Sequence, residues 1–192
     1  MLGALPTNLI IGGKKYEIRS DYRNILRIIE AYDSTELKDR EKVYICLKRL
    51  YVAFEDIPPE CYEEAYKAAT SFIECQMETG KHDNSPRLVD WSKDGQLIFA
   101  AVNKVAGKEV RAEPYMHWWT FMGYFQSIDR DDLWGFILTI RQKRAKGQKL
   151  EKHETEFFNA NRSMCDIGER VDKKKEAQDY MEALYAELYG KG

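Results

Sequence analysis

The run Tyr115-Met-His-Trp-Trp-Thr-Phe-Met-Gly-Tyr-Phe125 leaves this chain few ways to fold, because six of its eleven side chains are tyrosine, tryptophan or phenylalanine. At helical spacing Trp118, Met122 and Phe125 share one face, and Tyr115 and Trp119 lie on the adjoining one. A helix with so little polar surface either sits at the centre of a fold or offers one face to a protein partner. Large aromatics dominate core burial, which favours the central position and predicts that Trp118 and Trp119 are buried.

Most other segments carry helical periodicity. Leu9-Ile10-Ile11 and Tyr16-Glu17-Ile18 flank Gly12-Gly13-Lys14-Lys15, and β-prone runs around a Gly-Gly dipeptide predict a small hairpin. Asp21 is placed as N-cap of a helix bearing Tyr22, Ile25, Leu26, Ile29 and Tyr32. A second stripe, Val43, Tyr44, Leu47, Leu50, Tyr51 and Phe54, is stopped by Pro58-Pro59, which also starts a third helix with Ala65, Ala69 and Phe72 on its buried face. Further helices are expected over Gln96–Ala106, Pro114–Gln126, Asp131–Lys146, Leu150–Asn161 and Val171–Tyr189. The expected fold is mainly α, a helical bundle of about seven or eight helices with a small N-terminal β-hairpin. Residues 1–162 are read as one globular unit, with halves 1–79 and 96–162 joined by a loop at 80–95 that contains Gly, Asn, Ser and Pro. Residues 163–192 are read as an amphipathic helix that either docks on its own chain or serves as an interaction arm.

Nothing in the pattern calls for catalysis. His117 has no neighbouring nucleophile and no orienting carboxylate, so it is expected to bond to backbone or solvent, and His82 and His153 to lie at the surface. The carboxylate pairs Glu63-Glu64, Asp131-Asp132 and Glu154 with Glu156 fall at helix starts or on solvated helices, where the helix dipole accounts for them. Phosphate-binding loops, dinucleotide fingerprints, nucleophile elbows and zinc-protease motifs are missing. Cys46, Cys61, Cys75 and Cys165 form no CxxC pair and are expected to be reduced, largely buried thiols. The expectation is therefore a protein that is not an enzyme and uses no cofactor or metal.

Thirty basic against 32 acidic side chains give a net charge of -2, which argues against a dedicated nucleic-acid binder. The run Arg141, Lys143, Arg144, Lys146, Lys149, Lys152 could attract a phosphate backbone. Cations in a last turn also complement the helix dipole, and Glu151, Glu154 and Glu156 follow, so the run is read as a solvated helix end. No apolar stretch approaches the roughly 20 residues that span a bilayer. The N-terminus has no basic segment ahead of its apolar residues, as a secretory signal would. A cytoplasmic protein without membrane contact is expected.

Three blocks between Trp91 and Asn161 resemble the bacteriophage gene-product-fifteen family, which belongs to the tail-gene cluster of temperate tailed phages of Gram-positive bacteria. The first is the Asp-led stretch Asp94-Gly-Gln-Leu-Ile-Phe-Ala-Ala-Val-Asn-Lys-Val-Ala-Gly107. The second is Met116-His117-Trp118-Trp119-Thr120-Phe121, which matches a Leu-His-Trp-Trp-x-Phe signature with Met in place of Leu. The third is Ile140-Arg141 leading into Leu150-Glu151-Lys152 and Phe157-Phe158. The hairpin and Asp21-Tyr22-Arg23 fit the family's N-terminal half, whereas the final helix has no counterpart.

The resemblance makes Asp94, His117, Trp118, Trp119 and Phe121 a signature set, for core or interaction, and implies no catalytic residues. Genes of this family stand between those of the major tail protein and the tape-measure protein, the position of tail-assembly chaperones. The implied function is tail morphogenesis: a chaperone that keeps the tape-measure protein soluble, in the host cytoplasm. The alternatives are a structural component of the tail or tail end, found in the virion, and a nucleic-acid-binding regulator using the 141–152 stripe. Expected partners are other phage tail proteins, with self-association as a further possibility. Met181, Leu184, Tyr185 and Leu188 line a seam on the last helix and are candidate interaction residues.

Overall fold

A computed structural model describes residues 3–75 and 88–167. It is mainly α, with eight α-helices and one two-stranded antiparallel hairpin among the described residues. His82 and the seam of Met181, Leu184, Tyr185 and Leu188 lie outside the described residues. The described residues form two compact units, 3–75 with Tyr115–Trp119, and 88–114 with 120–167.

In the first unit, β1 (Asn8–Ile11) and β2 (Lys14–Glu17) pair through a two-residue turn, with Ile11 opposite Lys14. Gly12 and Gly13 have φ of 54° and 75°, the backbone that such a turn demands and that glycine adopts without strain. Leu9, Ile11 and Tyr16 face the core.

Helix α1 (Tyr22–Asp33) is capped by Asp21, whose carboxylate accepts from Arg23 N. Helices α2 (Asp39–Leu50) and α3 (Tyr62–Ile73) complete the bundle. Ile25, Ile28, Val43, Cys46, Leu47, Ala65, Ala69 and Phe72 form its interior. The α2 stripe ends earlier than its periodicity suggests: Tyr51 leaves the helix to pair with Ile18, and Phe54 lies in a separate 3-10 turn, Phe54–Asp56. The guanidinium of Arg19 donates to the carbonyls of Lys48, Arg49, Tyr51 and Val52, which satisfies the open end of α2. Tyr44, placed in that stripe by sequence, is 54% exposed.

The second unit contains α4 (Trp91–Ala106), α6 (Leu133–Ala145), α7 (Lys152–Ala160), the short α8 (Arg162–Cys165) and most of α5 (Trp118–Gln126). Helix α4 begins five residues before the expected Gln96. Asp90 is its N-cap and accepts from Lys93 N, while Asp94 reaches back to Asp90 N, and these reciprocal bonds outweigh the weak propensity of Gly95. Helix α5 begins four residues after the expected Pro114, because Tyr115 to His117 are drawn into extended pairing. Asp132 caps α6 through Trp134 N. No helix among the described residues is long and apolar enough to cross a membrane.

Candidate functional site

The signature residues divide between the two units. His117, Trp118 and Trp119 belong to the first, and Asp94 and Phe121 to the second.

In the first unit, Tyr115–Trp118 runs antiparallel to Ser20–Tyr22. Tyr22 N donates to Met116 O at 3.0 Å, and Trp118 N donates to Ser20 O at 2.7 Å. Asp21 works on both segments: Oδ1 accepts from Arg23 N at 2.9 Å and Oδ2 accepts from Met116 N at 3.0 Å. Sequence identified Asp21 as a helix cap but not as the clasp for residues 115–118, because nothing local encodes a bond across 95 residues.

His117 is buried, 3% exposed. Its Nδ1 accepts from Trp119 N at 3.0 Å, which leaves Nε2 as the protonated nitrogen that donates to Pro6 O at 3.0 Å. Both ring nitrogens are thus engaged in holding backbone, and neither is offered to a substrate.

The two indoles perform one task. Trp118 Nε1 donates to Ile73 O at 2.8 Å and Trp119 Nε1 donates to Phe72 O at 2.9 Å, the last two carbonyls of α3. Cys75 just beyond has φ of 59°, the left-handed conformation at which a helix commonly stops. Phe72 stacks on Trp119 with centroids 5.8 Å apart, and the His117 ring meets Phe72 edge-on at 5.8 Å. Trp118 is fully buried and Trp119 half-buried.

In the second unit, Asp94 and Arg141 form a buried bidentate pair at 2.6 and 2.8 Å. Arg141 also donates to the carbonyls of Leu88, Met164 and Cys165, so its five N–H bonds are all made. The sequence placed Arg141 in a solvated basic run, and the structure corrects this: Arg141 is 4% exposed. The signal was present, since Arg141 continues the buried spacing of Trp134 and Ile137 on one face of α6.

Glu154, also expected on a solvated helix, is 3% exposed. It accepts from Lys143 Nζ at 2.6 Å and from Glu151 N at 2.8 Å. The Lys143 bond, more than the backbone one, lowers its pKa below the usual glutamate range. Arg144 pairs with Asp166. Half of the basic run therefore meets acceptors within its own unit, while Lys146, Lys149 and Lys152 stay exposed. Phe121 packs against Trp91 and Phe99, with centroids 6.3 and 5.9 Å away.

Two of the thiols are poorly suited to nucleophilic chemistry. Burial pushes Cys46 up to about 12 and Cys75 up to about 11, whereas reactive cysteines are lowered toward neutrality. Among the described residues, no group of three His, Cys, Asp or Glu side chains is placed to hold a metal ion. A depression along Lys149 to Glu156 is shallow and open, unlike the enclosed clefts that hold small substrates.

The chain matches the family described as Bacteriophage Gp15 protein over residues 3–166. Comparison with curated proteins and with solved structures gives no match. The match covers most of the chain, and the protein belongs to the bacteriophage Gp15 family.

Proposed function

We propose that this Gp15-family chain is a tail-morphogenesis protein that acts by binding other phage proteins, as a chaperone for the tape-measure protein, and not as an enzyme. The observation that carries the reading is the family match over residues 3–166, since the family resemblance implies a gene position beside the tape-measure gene. The site geometry supports a binding role. His117, Trp118, Trp119, Asp94 and Arg141 spend their polar atoms on backbone carbonyls, backbone N–H groups and each other, so the signature maintains the scaffold. Each unit keeps exposed apolar side chains that a partner could contact, Tyr44 and Tyr115 on the first and Val105 and Leu133 on the second. The nucleic-acid reading loses support, because Arg141, Lys143 and Arg144 are paired to carboxylates.

Mass spectrometry of purified virions, set beside an assembly-stage lysate of the same phage, tests the proposal. A chaperone is abundant in the lysate and absent from the virion. Stoichiometric retention in the virion would instead identify a structural component of the tail.

A further inference from the structure

In the second unit, half-buried Phe158 on α7 carries two guanidinium groups. Arg144 of α6 lies 4.1 Å from its ring centroid, and Arg162 of α8 lies 5.6 Å from it. A ring beneath a guanidinium holds it by cation–π attraction and leaves the N–H groups at its edge for a planar acceptor. Arg144 spends that edge on the carboxylate of Asp166, the residue just past α8. The Nζ of Lys93, on α4, donates to the Asp166 carbonyl, so a third cation converges on the same residue.

Arg162 differs from Arg144. It is exposed, and the N–H groups of its side chain meet no acceptor among the described residues. The carboxylates at the start of α4 are committed, Asp94 to Arg141 and Asp90 to the backbone N–H of Lys93. Lys93 and Arg162 therefore form no ion pair among the described residues, beside an arginine that does.

We propose that Lys93, Arg144 and Arg162, with Phe158 as their support, form a receptor for the carboxylates of an acidic protein segment. Asp166 already shows the group that such a guanidinium takes. A partner's carboxylate occupies the open edge of Arg162 as Asp166 occupies that of Arg144, and Phe158 lowers the entropy lost in fixing the side chain. A nucleic-acid backbone fits less well. It needs successive cations along a track, whereas Glu151, Glu154 and Glu156 precede Phe158 at and along α7. A single exposed ion pair is weak, so the partner segment carries several acids. Such a contact presupposes the binding role proposed above and adds the chemistry of one partner surface.

Hexaglutamate is the probe, added to the full chain at low salt and followed by NMR through the Nε–H signals of the arginines. The signals of Arg144 and Arg162 should shift saturably together. Arg130, exposed in the same unit but stacked on no ring among the described residues, should not respond. Arg162→Gln should weaken binding about fivefold, the loss expected of one exposed ion pair, whereas Arg130→Gln should leave it unchanged. Phe158→Leu keeps every charge and should still weaken binding about two- to fivefold, through loss of the stack. That loss separates a built receptor from a diffuse positive field. Circular dichroism checks that each variant folds, and should Phe158→Leu unfold, Arg162→Gln at its exposed position carries the test. Equal weakening by Arg162→Gln and Arg130→Gln overturns the proposal, as does the absence of any shift at Arg144 and Arg162. Tighter binding of a single-stranded DNA of equal charge also overturns it, by making this a nucleic-acid site. None of these failures touches the tape-measure reading, which virion content tests separately.

Discussion

Asp94 and Arg141 are joined at 2.6 and 2.8 Å with side chains only 2% and 3% exposed, and the other three N–H groups of Arg141 end on backbone carbonyls. One guanidinium thus holds the start of α4, the α6 face that carries it and the α8 segment. A buried pair of this kind adds little net stability over a well-packed apolar pair, but breaking it strands a charge in the interior. Arg141→Ala or Asp94→Ala should each cost about 3–5 kcal/mol by denaturant unfolding. The double variant should cost clearly less than the sum, since no lone charge is then left. Strict additivity would mean that the two residues act independently.

The Trp pair allows a finer test. Phe72 O has a second nitrogen donor, Cys75 N at 3.0 Å, whereas among the described residues the nitrogen donor to Ile73 O is the Trp118 indole, beside a long contact from Cys75 Sγ at 3.9 Å. Trp118→Phe leaves a carbonyl without its nitrogen donor and should cost about 1–3 kcal/mol for that bond alone, while Trp119→Phe should cost about 0.5–1.5 kcal/mol. Trp118→Ala should cost about 3–5 kcal/mol. Equal losses for the two Phe variants would show that the indole N–H groups do not cap α3 as described.

Gly135 is fixed by close approach. A Cβ there would lie 2.1 Å from Asp129 O, so the loop before α6 must move to admit any side chain. Gly135→Ala should destabilise by about 1–3 kcal/mol, against a gain of about 0.5–1 kcal/mol for Gly123→Ala, which lies inside α5 where a Cβ meets open space. Matching melting temperatures for the two variants would contradict this packing.

Glu154 supplies a pH dependence of known sign. Its folded pKa is lowered, chiefly by the Lys143 hydrogen bond, so its contribution is present above the ordinary value of 4.5 and is lost as pH falls through the lowered one. Glu154→Gln should therefore be less stable than wild type at neutral pH, and the gap should close in acid. A gap that stays constant from neutral pH to acid would remove the ion pair as its cause.

The hairpin, the Asp21 cap and the burial of Trp118 were legible because each rests on local pattern: Gly-Gly turn chemistry, a capping side chain, helical spacing. What was not legible depends on long-range bonds. Residues 115–117 have a helical pattern yet lie extended, because Ser20–Tyr22 and the Asp21 carboxylate hold their backbone. Arg141 and Glu154 read as solvent-facing by residue type, although spacing on α6 and the capping box of α7 carried hints of burial. The resemblance named the signature set without saying what its members do. Their roles depend on the end of α3 and on α8, which no motif near them encodes.

Co-expression with the tape-measure protein of the same phage decides whether this chain is its chaperone. The tape-measure protein should move into the soluble fraction and co-purify with this chain, and Arg141→Ala, with its scaffold weakened, should lose much of that effect. A tape-measure protein equally insoluble with and without this chain, with no complex recovered, would mean that the chain does not chaperone it.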